Sequence, residues 1–224
     1  MKKLILSAAL LAAALPALQG CVTAVATGVT VGVLAAFDRR PLTTQTDDEA
    51  IEWKAASRLA DKFGKENHIN VTSFNRKVLI SGETVSEDNK TRIGEIVRGV
   101  DNVQGIWNEI YVGPSSSLSG RSTDTYVTSK VKARFVDSGQ FSANHVKVVT
   151  EAGVVFLLGI VNEREAQAAV QIARTTTGVR KVVNVMEVVS ESETKRLDSS
   201  ATSRSEAKPA PAAAPAPVEA PAAR

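Results

Sequence analysis

The chain has 224 residues, of which 43% are hydrophobic, 23% charged and 4% aromatic, with 27 basic against 24 acidic side chains and a single cysteine. One cysteine excludes an intramolecular disulfide and a thiolate metal cluster. The basic excess is shallow: Lys2 and Lys3 sit in a removable leader, leaving 25 positive and 24 negative charges, and without a basic run or stacking aromatics the composition excludes a nucleic-acid partner.

Residues 1–20 read as a secretory signal, with Lys2 and Lys3, an apolar run from Leu4 to about Leu15, and Gly20 just before Cys21. The ending Leu18, Gln19, Gly20, Cys21 resembles the processing site of bacterial lipoproteins, which implies lipidation of Cys21. That covalent lipid is the only cofactor expected. A plain signal peptide with Cys21 as a free thiol is the competing reading. Residues 21–46 read as the lipidated N-terminus and tether. Val22 to Phe37 is uncharged but has only 16 residues, short of the roughly 20 needed to span a bilayer; Gly28 and Gly32 keep a small-residue helix-packing motif open as an alternative. Val22 beside the cysteine, where inner-membrane retention would place aspartate, implies by the same resemblance an outer-membrane anchor with the folded part in the periplasm.

The rest of the chain repeats itself. Ile69 to Gly82 recurs as Val146 to Gly159, shifted by 77 positions, and Val103 to Ile110 recurs as Val179 to Met186, shifted by 76. Both first segments read as β-branched hairpins, turning at Asn75 to Lys77 and Glu151 to Gly153. Ahead of each lies a helix with apolar residues four apart: Ile51, Ala55, Leu59 and Phe63, then Val127, Val131 and Phe135. Asp47 and Asp48, and Thr123 and Asp124, are expected to cap those helices. Second helices are expected at about Ser86 to Gly99 and Asn162 to Thr176.

Each unit is therefore helix, strand, strand, helix, strand, with the first two strands antiparallel and the third returning parallel through a right-handed crossover. The fold class is α+β, two tandem αββαβ units, each a three-stranded mixed sheet with two helices. The first unit covers 47–113, a linker 114–121 and the second unit 122–190. At under 70 residues apiece the units are marginal alone, so they are expected to pack together. Residues 191–224 lose periodicity and end in alanine and proline, which predicts a disordered tail.

The doubled unit, with its strand ends at Gly82 and Gly159 and the Gly178 to Asn184 entry to the last strand, resembles tandem BON domains. Together with the lipobox, and with stretches such as Ile69 to Thr72 and Asp124 to Lys130, the chain is similar to dual-BON outer-membrane lipoproteins of division sites and envelope stress. That resemblance implies binding of anionic phospholipid, phosphatidylglycerol for example, in support of outer-membrane integrity and without catalysis. It places the contact on the first helix of the second unit, at Tyr126, Val127, Lys130, Ala133 and Arg134.

The residues themselves agree in part. The first unit has 12 acidic and 9 basic residues, the second 6 and 8, so only the second should favour an anionic surface. Tyr126, Lys130, Ala133 and Arg134 share a stripe distinct from the core stripe, where tyrosine suits a headgroup interface and each cation contributes about 1 kcal/mol near anionic lipid. The matching positions Ala50, Lys54, Ser57 and Arg58 lack the aromatic. The competing reading has Tyr126 at the domain junction and both cations on an ordinary solvated face. An envelope protein partner bound through the BON domains is a second function; glycan binding is a third, disfavoured by the few aromatics. His68 and His145, one per unit, suggest no zinc site by spacing. Trp53 and Trp107 read as packing residues, Trp107 also as an interdomain contact. No nucleophile elbow or phosphate loop follows a strand, so no catalytic residue is assigned.

Overall fold

The computed structural model describes residues 38–64 and 67–206. The signal, Cys21, the glycine motif and the proline-rich end therefore lie outside the described residues. The first domain runs α1 (Leu42–Phe63), β1 (His68–Phe74), β2 (Lys77–Thr84), α2 (Glu87–Arg98), β3 (Gly105–Asn108) and β4 (Tyr111–Val112). The second runs α3 (Leu118–Ser138), β5 (Val146–Glu151), β6 (Val154–Val161), α4 (Glu163–Arg174), β7 (Lys181–Asn184) and β8 (Glu187–Val188), and is followed by α5 (Glu191–Glu206).

In each sheet the hairpin strands pair antiparallel and the third strand joins the second in parallel. That third strand is broken: β4 and β8 continue the pairing of β3 and β7 with β2 and β6 in unchanged register, after residues 109–110 and 185–186. Both hairpins turn on two residues with positive φ, Asn75 and Arg76 (54° and 61°) and Ala152 and Gly153 (47° and 74°), the mirror-image turn that matches the right-handed twist of the strands. Gly82 and Gly159 are glycine because a Cβ there would collide with the carbonyl oxygen of His68 at the start of the neighbouring strand or of His145 just ahead of it.

The helix starts differ from expectation. Asp48 and Asp124 lie inside their helices, which begin at the equivalent leucines Leu42 and Leu118, the latter capped by Ser117; the expected linker therefore loses its second half to α3. Instead, the two aspartates clamp the strained hairpins. Asp48 accepts from the backbone N–H groups of Asn75 (2.9 Å) and Arg76 (2.7 Å), and Asp124 from those of Ala152 (2.9 Å) and Gly153 (2.8 Å). A carboxylate reaching two adjacent amides pins a conformation that Arg76, in particular, would otherwise avoid.

One face of each sheet is covered by its own helices. Ile51, Ala55 and Leu59 of α1 meet Val78, Ile80, Ile93 and Val97; Val127, Val131 and Phe135 of α3 meet Val148, Val155, Leu157 and Ala169. The opposite faces pack on each other. Phe74, Leu79 and Trp107 from the first sheet join Phe156, Leu158, Ile160 and Val185 from the second in a third apolar cluster. The molecule is thus four layers, helices, sheet, sheet, helices, spaced about 10 Å apart. Ion pairs ring the junction: Lys77 to Glu187 at 2.6 Å and Lys147 to Glu52 at 3.0 Å.

Two expectations need correcting. Residues 191–206 form α5 instead of opening the disordered tail. The helix hides a stripe in a polar sequence, with Thr194 and Ala201 buried and Leu197 reaching the sheet-sheet cluster. The end of the tether is also fixed. Arg39, 3% exposed, donates to Glu165 of α4 (2.8 and 3.0 Å), to Asp198 of α5 (2.7 and 3.0 Å) and to the Ile160 carbonyl (2.8 Å). Arg204 of α5 in turn donates to the carbonyls of Arg40 and Asp38. Residues on either side of the repeats are thereby locked to the second domain by charge, which hydrophobic periodicity does not register.

Candidate membrane-facing surface

Helix α3 owes its inner face to Val127, Val131 and Phe135, all buried. Val127, 2% exposed, is a core residue that touches the loop at Gly178 and has no surface to offer a lipid. At 3.6 residues per turn the opposite face carries Leu118, Ser122, Tyr126, Ser129, Ala133 and Val136 within about 80° of arc, centred about 180° from the core stripe. All six are exposed. Leu118, Tyr126 and Val136 are large apolar groups in water, spread over a ridge about 27 Å long. Tyr126, 64% exposed, is therefore not a domain-junction residue.

Cations flank the ridge. Lys130 stands 5.2 Å from the centre of the Tyr126 ring and donates to the Thr177 carbonyl at 2.6 Å. Arg134 is half-buried and donates to the Ile172 carbonyl (2.9 Å) and the Thr176 hydroxyl (2.8 Å), so it caps the negative end of α4 and has less to give a ligand than its stripe position suggests. Lys132, off that stripe, is exposed on the ridge's other flank, toward Arg121. Ala133 stays on the ridge itself.

The first domain repeats the arrangement with different charge. Arg58 caps α2 through the Gly99 carbonyl (2.8 Å) as Arg134 caps α4. Lys54, the counterpart of Lys130, pairs with Asp101 at 3.0 Å, and that salt bridge holds the Asp101 carboxyl below its usual range. Asp101 is replaced by Thr177 in the second domain. The first domain also has an aromatic on its ridge after all. Trp53, aligned with Ser129 and not with Tyr126, is 73% exposed and packs in no core. Spacing alone missed it because it is displaced by three positions from Ala50, still on the same face. Since α1 and α3 occupy opposite outer layers, Trp53 and Tyr126 face away from each other.

Residues 47–114 and 123–190 each match the BON domain model. The chain belongs to the BON-domain family. It is 38% identical to the outer membrane lipoprotein DolP of Haemophilus influenzae over 75% of this chain and 88% of that protein. It is 34% identical to the 21 kDa hemolysin of Actinobacillus pleuropneumoniae, over 68% and 79%, and 31% identical to the osmotically inducible protein Y of Escherichia coli, over 62% and 71%. It is a lipoprotein of the outer membrane with an envelope role. Among the described residues, no helix is long and apolar enough to cross a membrane.

Proposed function

We propose that the second domain binds anionic phospholipid through the outer ridge of α3, and that this contact, without catalysis, supports outer-membrane integrity. The observation that carries the reading is the ridge itself: Leu118, Tyr126 and Val136 stand exposed in a line opposite the core, with Lys130 and Lys132 on its flanks. A helix of that build lies in the headgroup plane, its apolar residues entering the acyl boundary and its cations meeting phosphate. Asp38 is locked to the same domain by Arg204, and 16 residues separate it from Cys21, so a lipidated cysteine can stand no farther than about 60 Å from that point. The anchor thus holds the domain close to bilayer. Phosphatidylglycerol is the natural probe.

Flotation of residues 22–224 with phosphatidylglycerol and phosphatidylcholine vesicles at two salt concentrations tests it. Binding only to the anionic vesicles, weakened by salt, by Tyr126→Ala and by Lys130→Glu, is the expected result. Absence of binding by the folded protein rejects it. A second reading rests on Trp53: an exposed tryptophan on the layer facing away from α3 suits an envelope protein partner, because such anchors dominate interface energies. A partner captured by crosslinking that survives Tyr126→Ala but is lost in Trp53→Ala supports that role.

A further inference from the structure

The two repeat histidines stand in equivalent places, and each has two carboxylates for neighbours. In the second domain, His145 lies 3.9 Å from Glu165 and 3.6 Å from Asp198, and the buried Arg39 guanidinium binds both acids. In the first domain, His68 Nδ1 lies 3.1 Å from Glu83 Oε2 and 4.0 Å from Glu151 Oε2. Here no lysine or arginine among the described residues pairs with either acid. Glu83 is buried, and His68 and Glu151 are half-buried. Glu83 also accepts from the Ser116 backbone N–H (3.1 Å) and Glu151 from the Asn70 amide, but these neutral donors leave two partly dehydrated carboxylates without a countercharge between them, which is costly. Burial pushes the Glu151 carboxyl above its ordinary range, with Glu83 and Asp124 adding to the push and Asn70 and His68 only partly opposing it.

We propose that His68, Glu83 and Glu151 form a zinc site that joins the first domain to the second. His68 and Glu83 are direct cross-strand partners of the β1–β2 hairpin and so project from the same face, while Glu151 arrives from β5 of the other domain. One ligand atom from each lies within 4.8 Å of the other two. Zinc bonds of 2.0–2.2 Å place tetrahedral ligands about 3.3 Å apart, so closure needs side-chain movement on the order of 1 Å. One imidazole and two carboxylates with an open fourth position is a zinc donor set; magnesium and calcium want six or more oxygens. A cleft of about 300 Å³, lined by His68, Asn70, Arg121, Asp124, Thr150 and Glu151, gives entry. Zinc would supply the charge that Arg39 supplies to the two carboxylates beside the second histidine, at a point where both domains contribute ligands.

The test uses the untagged mature protein, stripped with chelator and titrated calorimetrically with zinc and with magnesium, alongside His68→Gln, Glu151→Gln and His145→Gln. Unfolding midpoints are read with zinc and with chelator. The expected result is one zinc per chain, no magnesium uptake and a higher midpoint with zinc. His68→Gln and Glu151→Gln weaken zinc at least roughly tenfold, whereas His145→Gln leaves it unchanged. Glu151→Gln keeps an acceptor for the hydrogen bond from Asn70, so its fold should survive, and circular dichroism checks each variant. Zinc uptake undiminished in folded His68→Gln and Glu151→Gln overturns the proposal. So does wild-type protein that neither takes up zinc nor gains stability from it.

Discussion

In the first domain Lys54 reaches Asp101, whereas in the second Lys130, at the same repeat position, finds Thr177 in place of the aspartate and bonds its carbonyl instead. Around them the scaffolds agree: both helices start at equivalent leucines, both hairpins turn on two positive-φ residues and both aspartates clamp those turns. The repeated fold is a constant, and single replacements at its surface set the two domains to different work. One ridge carries tryptophan beside a lysine paired with a carboxylate and the other tyrosine beside a lysine with no carboxylate partner, on opposite outer layers. Duplication thus yields a molecule with two dissimilar faces from one core pattern.

The largest effect should come from the feature that only the second domain has. Arg39→Ala leaves Glu165 and Asp198 without their shared cation, and should cost about 3–5 kcal/mol in urea unfolding. The same pair gives the stability an acid dependence. Burial acts to raise the Glu165 carboxyl, but His145, Arg39 and the Asn162 backbone N–H outweigh it and hold the group far below the ordinary 4.5. A depressed folded value means the contribution is complete above about pH 5 and is lost as pH falls below it. Wild-type unfolding followed from pH 7 to pH 3 should show that loss, and Arg39→Ala should flatten it.

The hairpin clamps compare the domains directly. Asp48 also accepts from the Ser73 hydroxyl (2.6 Å) and from Arg40 (2.7 Å), contacts that Asp124 lacks. Asp48→Ala should therefore cost about 3 kcal/mol and Asp124→Ala about 1–2 kcal/mol. Equal losses in thermal or urea unfolding would mean that the two turn amides alone account for both. The smallest effect exchanges the domains' charge. Thr177→Asp gives Lys130 the partner that Lys54 has, and should weaken phosphatidylglycerol binding about fivefold, the equivalent of about 1 kcal/mol, with stability unchanged.

Much of the architecture is legible in the sequence because it rests on local periodicity. Ile51, Ala55 and Leu59, and Val127, Val131 and Phe135, repeat every four residues and are all buried; the hairpins announce themselves by β-branched runs around turn residues. Trp107 joins the interdomain cluster as expected. The helix starts are not legible because Asp48 and Asp124 look like caps, and only a folded hairpin brings their real partners, some 28 residues away, within reach.

At the candidate surface, sequence singled out Tyr126 and Lys130, but assigned Val127 both to the core and to lipid contact, and packing gives it to the core. It passed over Leu118 and Val136, which extend the ridge, and took Trp53 for a packing residue, since apolar type alone does not distinguish a buried side chain from an exposed one.

By itself, then, the sequence determined the repeat, the α+β class and the charge difference between domains, all of which follow from short-range pattern and composition. Only the tertiary structure decided that the sheets pack face to face, that Arg39 and α5 lock the described segments flanking the repeats to the second domain, and that His68, Glu83 and Glu151 meet. Those contacts join residues 15 to 166 positions apart through burial and charge, and no local pattern carries that information.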